Sequence, residues 1–543
     1  MKQFLLLIFV IVAVGCGKKT LSPVEHATKD NILLVANGNE PRELDPLLTT
    51  GSPEHNILFT LFEGLVSKNP KTLAVQPAVA EKWALSEDKK TYTFTLRKNA
   101  RWSNGDPVTA HDYVYAWKRS LMPAFGSEWA YMKYYIKNAE AFHSGDIDSF
   151  DLVGVNATDD HTLIVELNYP TSFFLQLLDH NSYYPVHQGT IEKYAAIDQP
   201  ISPWTRPENF VGNGPFILTR WDINEVIETK RNQYYWDTQN VALNGVHFYP
   251  IEDQQAEVRA FRSGQVHLTY TPQMAIEKIA YYKENHPESL RITPTYSIYH
   301  YELNTTKPPL NNPLVRRALA MAIDRETLVK HVSKGGEPPA FSFIPPDPTG
   351  YSPTSLFNYS PEKARALLAE AGYPNGEGFP TIDLLYNTQD NHRKVALAIQ
   401  QMLKDNLNIQ IQLTNQEWKV YLNSKRNLEH DIARAGWIAD YLDPSNFIEV
   451  LYSLSGNNDT GWKNDEYDAL VELLKKTSDE KARHALFDQA NKILAEEMPI
   501  IPIYNYSDLN LVSPNVKGWH DNVMHYHPYN RVSLEATTTN ITN

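Results

Sequence analysis

The chain has 543 residues, more than one hydrophobic core usually supports, so two or more lobes are expected. Its 42% apolar and 21% charged residues are typical of a soluble globular protein. The net charge of −14 and the lack of a concentrated basic segment argue against nucleic acid as a partner.

The first residues predict export. Lys2 precedes an apolar run, residues 4–14, that is too short for a transmembrane helix, which needs about 20 apolar residues. Residues 1–15 are therefore predicted to be a cleaved signal peptide. Cys16 is the only cysteine, and Ala-Val-Gly-Cys resembles a lipobox, so residues 16–30 are predicted to form a lipidated cysteine and a tether. Ordinary secretory cleavage with loss of Cys16 is the alternative, and either way no internal disulfide is possible.

Beyond the leader, strand-like and helix-like apolar patterns alternate. In the first half they predict strands at 31–37, from Thr91, at 162–167, from Val226 and at 266–269, and helices at 54–65, after Thr109 and at 256–262. In the second half they predict strands from Tyr299, at 382–385 and at 409–413, and helices at 315–323, 361–371, 394–407, 466–475 and 481–496. This alternation predicts an α/β fold with mixed sheets in each lobe.

No motif for covalent chemistry is recognisable. Gly-x-Ser-x-Gly, His-Glu-x-x-His and the phosphate-binding loop Gly-x-x-x-x-Gly-Lys-Ser/Thr are absent. Gly212-Asn213-Gly214 lacks a third glycine and is interpreted as a turn. His525 and His527 lack a third metal ligand at suitable spacing and are interpreted as part of a solvated loop. We therefore expect no metal, no cofactor and no enzymatic activity, with a hydrolase or a chaperone as the alternative class.

Five blocks of sequence resemble the family 5 extracellular solute-binding proteins, which serve ATP-driven importers of peptides, nickel and some sugars. The blocks are residues 62–65 (Phe-Glu-Gly-Leu), 78–119 (including Trp-Ser-Asn-Gly-Asp-Pro-Val-Thr-Ala), 384–388 (Leu-Leu-Tyr-Asn-Thr), 415–419 (Asn-Gln-Glu-Trp-Lys) and 431–441 (Asp-Ile-Ala-Arg-Ala-Gly-Trp-Ile-Ala-Asp-Tyr). The last three are similar to the oligopeptide-binding branch. The resemblance is collinear and covers nearly the whole mature chain.

The resemblance implies a two-lobe, three-domain clamp of the type II periplasmic-binding-protein class. The implied domains are a first-lobe core (31–75, 200–296 and 508–543), an extra domain of that lobe (76–199) and a second lobe (297–507). A short peptide would lie enclosed between the lobes as an added strand, with its side chains in hydrated pockets. The implied partners are an inner-membrane ABC permease and, through the lipid anchor, the membrane. A monomer in the periplasm or on the outer face of the cell membrane is expected.

Asp440 is the sharpest candidate for ligand binding. It is a carboxylate in the otherwise apolar run 437–441, and a peptide α-amino group, with a pKa near 8, is mostly protonated at neutral pH. A desolvated carboxylate is the natural counterion of that group. The position matches the amino-terminus-binding aspartate of the family. A turn or cap residue before Asp443 is the alternative.

At the other end of the ligand, His392, Lys425 and Arg434 match family positions that meet the carboxyl termini of peptides of different lengths. For His392 and Lys425 a solvated surface is the alternative. For Arg434 it is a structural ion pair with Asp431 or Glu449.

The remaining candidates match cleft walls or backbone contacts of the family: Glu63, Trp129, Asn387, Trp418, Gly436, Trp437 and Tyr506. Each aromatic among them could instead be plain core. A receptor for dipeptides, murein peptides, nickel chelates or short sugars is the competing function within the same family.

Overall fold

The computed structural model describes residues 21–270, 276–346, 350–355 and 357–535, and at residues 276, 277, 418 and 419 the backbone alone. The predicted signal peptide and Cys16 lie outside these ranges. Three large sheets organise the chain. Within the described ranges, every helix is too short or too polar to span a bilayer.

The first sheet mixes parallel and antiparallel strands. Its order is Leu268–Thr269, Ile32–Ala36, Gly245–Tyr249, Val226–Arg231 and Phe216–Asp222, of which the first three are parallel. Its helices are Pro23–Lys29, Ser52–Leu61, Gln254–Arg262 and Ile276–Asn285. The helix predicted at 54–65 ends at Leu61, because Phe62 is extended and the Asn213 side chain hydrogen-bonds both the amide and the carbonyl of Glu63.

The second sheet is antiparallel, with the order Ala80–Leu85, Thr91–Leu96, Thr162–Glu166 and Val155–Asp159. The alternation after Thr91 buries Tyr92, Phe94 and Leu96, as the sequence predicts. Its helices are Ala110–Leu121, Ala139–Ser144, Phe174–Leu177 and Gln188–Tyr194. One hydrophobic core joins this sheet to the first. We call the two sheets and their helices the first lobe.

The third sheet has the order Ile411–Gln416, Ile382–Asn387, Ile432–Ile438, Ser297–Leu303 and Ile500–Tyr504. The first three strands are parallel and the last two pair antiparallel. Its helices are Pro313–Met321, Arg325–Leu328, Pro361–Glu370, Asp390–Leu407, Trp418–Arg426, Ser445–Ile448, Asp465–Lys476 and Glu480–Glu497. Two large hydrophobic cores and one small cluster pack around this sheet, and we call the sheet and its helices the second lobe.

The chain crosses between the lobes beside a two-stranded ribbon, Leu290–Pro294 with Ser507–Leu511. Two further ribbons lie in the first lobe: Val66–Lys68 with Val75–Pro77, and Val516–Lys517 with Ser533–Leu534. Single-turn helices complete the described chain at Pro123–Phe125, Ala130–Lys133, Phe150–Leu152, Asn181–Tyr183, Pro203–Thr205, Thr238–Asn240, Val329–Ser333, Pro374–Gly376, Glu449–Leu451 and Tyr529–Arg531. The domain boundaries implied by the resemblance remain a prediction.

Candidate functional site

One strand of the third sheet, Ile432–Ile438, has an open edge, and we call it the site strand. It pairs with Ser297–Leu303 along its whole length, but with Ile382–Asn387 only at Ile432 and Ala433. The amide of Ala439 points to the Ser297–Leu303 side, because it donates to the Tyr296 carbonyl. Backbone groups alternate along a strand, so those of Gly436 and Ile438 point the other way. In the described chain no strand covers that edge beyond Ala433, so an extended segment can pair there.

Asp440 follows the site strand, and only neutral groups donate to it. Its Oδ2 accepts from the Tyr131 hydroxyl at 3.2 Å and from Asn446 Nδ2 at 3.4 Å. Burial raises the pKa of Asp440 to about 6, against the opposing effect of these two donors. Trp437 Nε1 donates to Asn446 Oδ1 at 2.7 Å. This bond fixes the orientation of the Asn446 amide, whose Nδ2 donates to Asp440. The result is a half-buried acid with no cation partner among the described residues, and it suits a ligand ammonium.

Arg434, six positions earlier, lies among tyrosines. One guanidinium nitrogen contacts the Tyr506 hydroxyl, and the group lies 4.7 Å from the centre of the Tyr299 ring. Burial lowers its pKa, but the surrounding tyrosine oxygens outweigh burial and raise the pKa above its usual value. Neither alternative ion pair is formed, since Asp431 accepts from the Asp383 amide and Glu449 from Tyr135. Arg434 is therefore a half-buried charge with no carboxylate partner in the described chain.

His392 is buried, with 2% of its surface exposed, so the solvated-surface alternative is wrong. Burial, together with the nearby charge of Arg434, lowers the pKa of His392 to about 2. The imidazole is therefore neutral and can offer hydrogen bonds rather than charge. Its Nδ1, Asn387 Oδ1 and Arg434 Nε are buried and unpaired within the described chain. Buried polar atoms normally have partners, so these three mark places where water or a polar ligand is expected.

Lys425 is also buried, which rules out a solvated surface here too. Its Nζ lies 2.7 Å from Glu302 Oε2 and 3.4 Å from Asp459 Oδ2. Burial lowers the pKa of Lys425, but Glu302 outweighs burial and raises it above the usual value. Because two carboxylates already neutralise this one cation, the arrangement does not favour a role at a ligand carboxylate, and that role stays a prediction.

Other predicted residues line the same region. A Cβ at Gly436 would collide with the Tyr506 hydroxyl, so only glycine fits beneath that tyrosine. Trp129 anchors its Nε1 on the Thr49 carbonyl at 2.7 Å. The side chain of Trp418 lies outside the described part of the structure.

Glu63 lies elsewhere. Its carboxylate accepts from the Tyr235 hydroxyl at 2.5 Å and from Trp236 Nε1 at 2.6 Å. Burial raises its pKa to about 7 despite these bonds. It lines a partly open cavity in the first lobe, together with the Lys68–Asp179 ion pair. No described contact joins it to Asp440 or Arg434.

The sequence model of the bacterial extracellular solute-binding proteins, family 5 (Middle), matches residues 74–459. The chain belongs to this family. The periplasmic oligopeptide-binding protein OppA of Salmonella typhimurium is 39% identical over 491 residues, which cover 89% of this chain and 88% of that protein. The solved murein tripeptide binding protein MppA of Escherichia coli has a TM-score of 0.81 at 34% identity, covering 93% of this chain and 98% of its own. Haemophilus influenzae OppA in complex with RPPGFSPFR has a TM-score of 0.79 at 35% identity, covering 93% and 99%.

These similarities establish the two-lobe, mixed α/β clamp of the type II periplasmic-binding-protein class. The sequence identified Asp440 as a candidate ligand-binding residue, but it did not identify Tyr131 and Asn446, which donate hydrogen bonds to it. Tyr131 lies in a run with Trp129, Tyr134 and Tyr135, a concentration of aromatics that is a signal of a contact surface. Asn446 carried no recognisable signal.

The lobes also touch beside Asp440. The Tyr135 hydroxyl lies 3.1 Å and 3.4 Å from the two Glu449 oxygens. Phe173 stacks on Tyr441 with ring centroids 4.6 Å apart. The described form of this solute-binding protein is therefore one in which the lobes are in contact.

His525 and His527, interpreted from the sequence as a solvated loop, are instead packed into the first lobe, so that interpretation is wrong. His527 is buried because its ring stacks on Trp519, with centroids 3.9 Å apart. His525 Nδ1 lies 2.5 Å from Asp508 Oδ2. In the ranges that the structure covers, no group of three or more His, Cys, Asp or Glu side chains could hold a metal ion.

Proposed function

We propose that the protein is an extracytoplasmic receptor that encloses short oligopeptides between its lobes and delivers them to an ABC-type peptide importer. The observation that carries the proposal is Asp440, a half-buried carboxylate with neutral donors only, at the end of a strand with an open edge. A peptide ammonium supplies the missing positive charge, and the open edge pairs with the ligand backbone without reading its side chains.

Arg434 supplies a positive charge opposite Asp440, so the two residues together can bind both charged ends of a peptide. Arg434 and Asp440 are six positions apart, which is roughly 20 Å along an extended chain at about 3.3 Å per residue. The two side chains take up part of that span, so it suits an extended peptide of roughly three to five residues. Arg434, without a carboxylate partner of its own, then meets the ligand carboxylate.

The remaining parts of the proposal rest on the sequence and on the relatives. The leader and Cys16 support export and a lipid anchor, on the outer face of the cell membrane or in the periplasm, where the named OppA relatives are found. The partner is an inner-membrane ABC permease, the protein is a monomer, and it binds its ligand without catalysis. The three domains follow the boundaries 31–75 with 200–296 and 508–543, 76–199, and 297–507.

A murein tripeptide is a second candidate ligand, because the murein tripeptide binding protein MppA has the TM-score of 0.81 given above. It offers the same free amino terminus to Asp440. Native mass spectrometry of the purified protein identifies a retained ligand by mass. Incubation with a peptide mixture separates binding from catalysis: intact retained peptides support a receptor, and fragments indicate a hydrolase.

Asp440→Asn tests the proposal directly. The amide keeps the shape but removes the charge, so the affinity for tri- to penta-alanine should fall by roughly 30-fold to 1,000-fold in titration calorimetry. Asp383→Asn is the matched control, a half-buried aspartate of the same sheet that accepts from Thr414. Near-unchanged affinity in Asp440→Asn would refute the peptide assignment.

A further inference from the structure

The contact between Asp440 and the first lobe is made by Tyr131. Tyr131 lies in the single-turn helix Ala130–Lys133, 309 positions away in the chain, and 42% of its surface is exposed. Its hydroxyl donates to Asp440 Oδ2 across the gap between the lobes. No other first-lobe residue of the described chain makes a hydrogen bond to this carboxylate.

The two donors to Asp440 share one oxygen. Tyr131 and Asn446 both reach Oδ2, and Oδ1 has no hydrogen-bond partner in the described ranges. Asn446 belongs to the second lobe, so it stays with Asp440 when the lobes separate. Tyr131 belongs to the first lobe, so its bond exists only while the lobes are in contact.

Donors to a buried carboxylate favour its charged form, which is the form that binds an ammonium. Burial pushes the pKa of Asp440 upward, and the bonds from Asn446 and Tyr131 push it back down. The Tyr131 bond, which is present only while the lobes are in contact, therefore offsets part of the pKa rise that burial causes, and it holds Oδ2 while Oδ1 is left for the ligand.

We propose that Tyr131 is a positioning and specificity-determining residue for peptides with a free amino terminus. Its hydroxyl completes the Asp440 site from the opposite lobe, so the ligand amino group and lobe contact support each other. This inference rests on the proposed peptide-binding function. It implies that the hydroxyl matters for a ligand with an ammonium, and not for an N-acetylated ligand that offers no charge to Asp440.

The experiment compares Tyr131→Phe with Tyr134→Phe in the full chain. Tyr134 is a half-buried tyrosine of the same segment, and its hydroxyl makes no hydrogen bond in the described structure, so its variant controls for loss of any nearby phenol. Tetra-alanine and N-acetyl-tetra-alanine are the probes, and dissociation constants are measured by calorimetry from about pH 5 to pH 7.5. Equal melting temperatures exclude a folding effect.

We expect Tyr131→Phe to bind tetra-alanine about tenfold more weakly and N-acetyl-tetra-alanine as the unaltered protein does. The acid decline of tetra-alanine affinity should also move to higher pH, because Asp440 loses a donor. A purely structural role would weaken both peptides equally and leave the pH profile in place. That result, or unchanged binding of tetra-alanine, would overturn the inference. Failure of the unaltered protein to bind any peptide would refute the proposed function, and this inference with it.

Discussion

Glu449 should make peptide binding depend on pH through the contact between the lobes. Its carboxylate lies in the second lobe and accepts from Tyr135 of the first. Burial raises the pKa of Glu449 to about 7, from the 4.5 of an exposed glutamate. Lys475 and Tyr135 oppose this rise, Asp443 adds to it, and Arg483 opposes it. Closing the lobes therefore favours the protonated acid.

The size of the effect follows from the two pKa values. A rise from 4.5 to about 7 corresponds to at most about 3.4 kcal/mol against closure when the carboxylate is charged. This cost is absent below about pH 4.5, where the acid is protonated in both forms, and complete above about pH 7. Glu449 keeps part of its surface in solvent, so we expect roughly two fifths of the upper limit, or about tenfold in affinity.

Glu449→Gln tests this reasoning. The neutral amide still bonds Tyr135 but carries no charge, so the variant should bind tetra-alanine about tenfold more tightly than the unaltered protein at pH 8, and this advantage should shrink at pH 5 and vanish below about pH 4.5. The ratio of the two dissociation constants, measured by calorimetry across this range, cancels the titration of the ligand amino group and of Asp440. Glu472→Gln is the control, since Glu472 pairs with Lys475 at 2.8 Å within one helix. A ratio that stays constant from pH 5 to pH 8 would refute the argument.

Two further substitutions test the surroundings of the site strand. Lys425→Met leaves Glu302 buried without its cation, so the free energy of unfolding should fall by about 3 to 5 kcal/mol in denaturant titrations. Adding Glu302→Gln should restore part of this loss. A loss below about 1 kcal/mol would contradict the buried ion pair. Gly436→Ala places a methyl group against the Tyr506 hydroxyl and should weaken peptide binding at least tenfold. Tyr506→Phe should partly rescue the binding. Unchanged affinity would show that binding does not need the close approach of Tyr506 to Gly436.

Local features of the fold were predictable from the sequence. Thr109 was expected to begin a helix, and the structure has Ala110–Leu121 with Thr109 as its cap and Asp112 completing a capping box. The alternation after Thr91 predicts a strand with one buried face, and that strand is present. These succeed because turn, cap and periodicity signals act over a few neighbouring residues. Asp440 stood out for the same reason, as a lone carboxylate in an apolar run.

The partners of the site residues could not be predicted. Tyr131 meets Asp440 across 309 positions and Lys425 meets Glu302 between separate elements, and no local pattern encodes such pairs. The burial of His527 depends on a stacking partner, Trp519, that sequence spacing does not identify. Polar residues that the sequence alone suggests are solvent-exposed are buried instead where a distant segment of the chain covers them.

The two segments that join the lobes are tied to each other as well as to the lobes. The Thr295 amide donates to the Tyr506 carbonyl at 2.9 Å, and the Asn505 side chain donates to the Ser297 carbonyl at 2.8 Å. Because the two connectors are hydrogen-bonded to each other, we expect them to bend together when the lobes separate. Tyr506 belongs to this joint and also contacts Arg434. A peptide bound along the site strand would therefore lie next to a residue, Tyr506, whose backbone belongs to the segments that join the lobes.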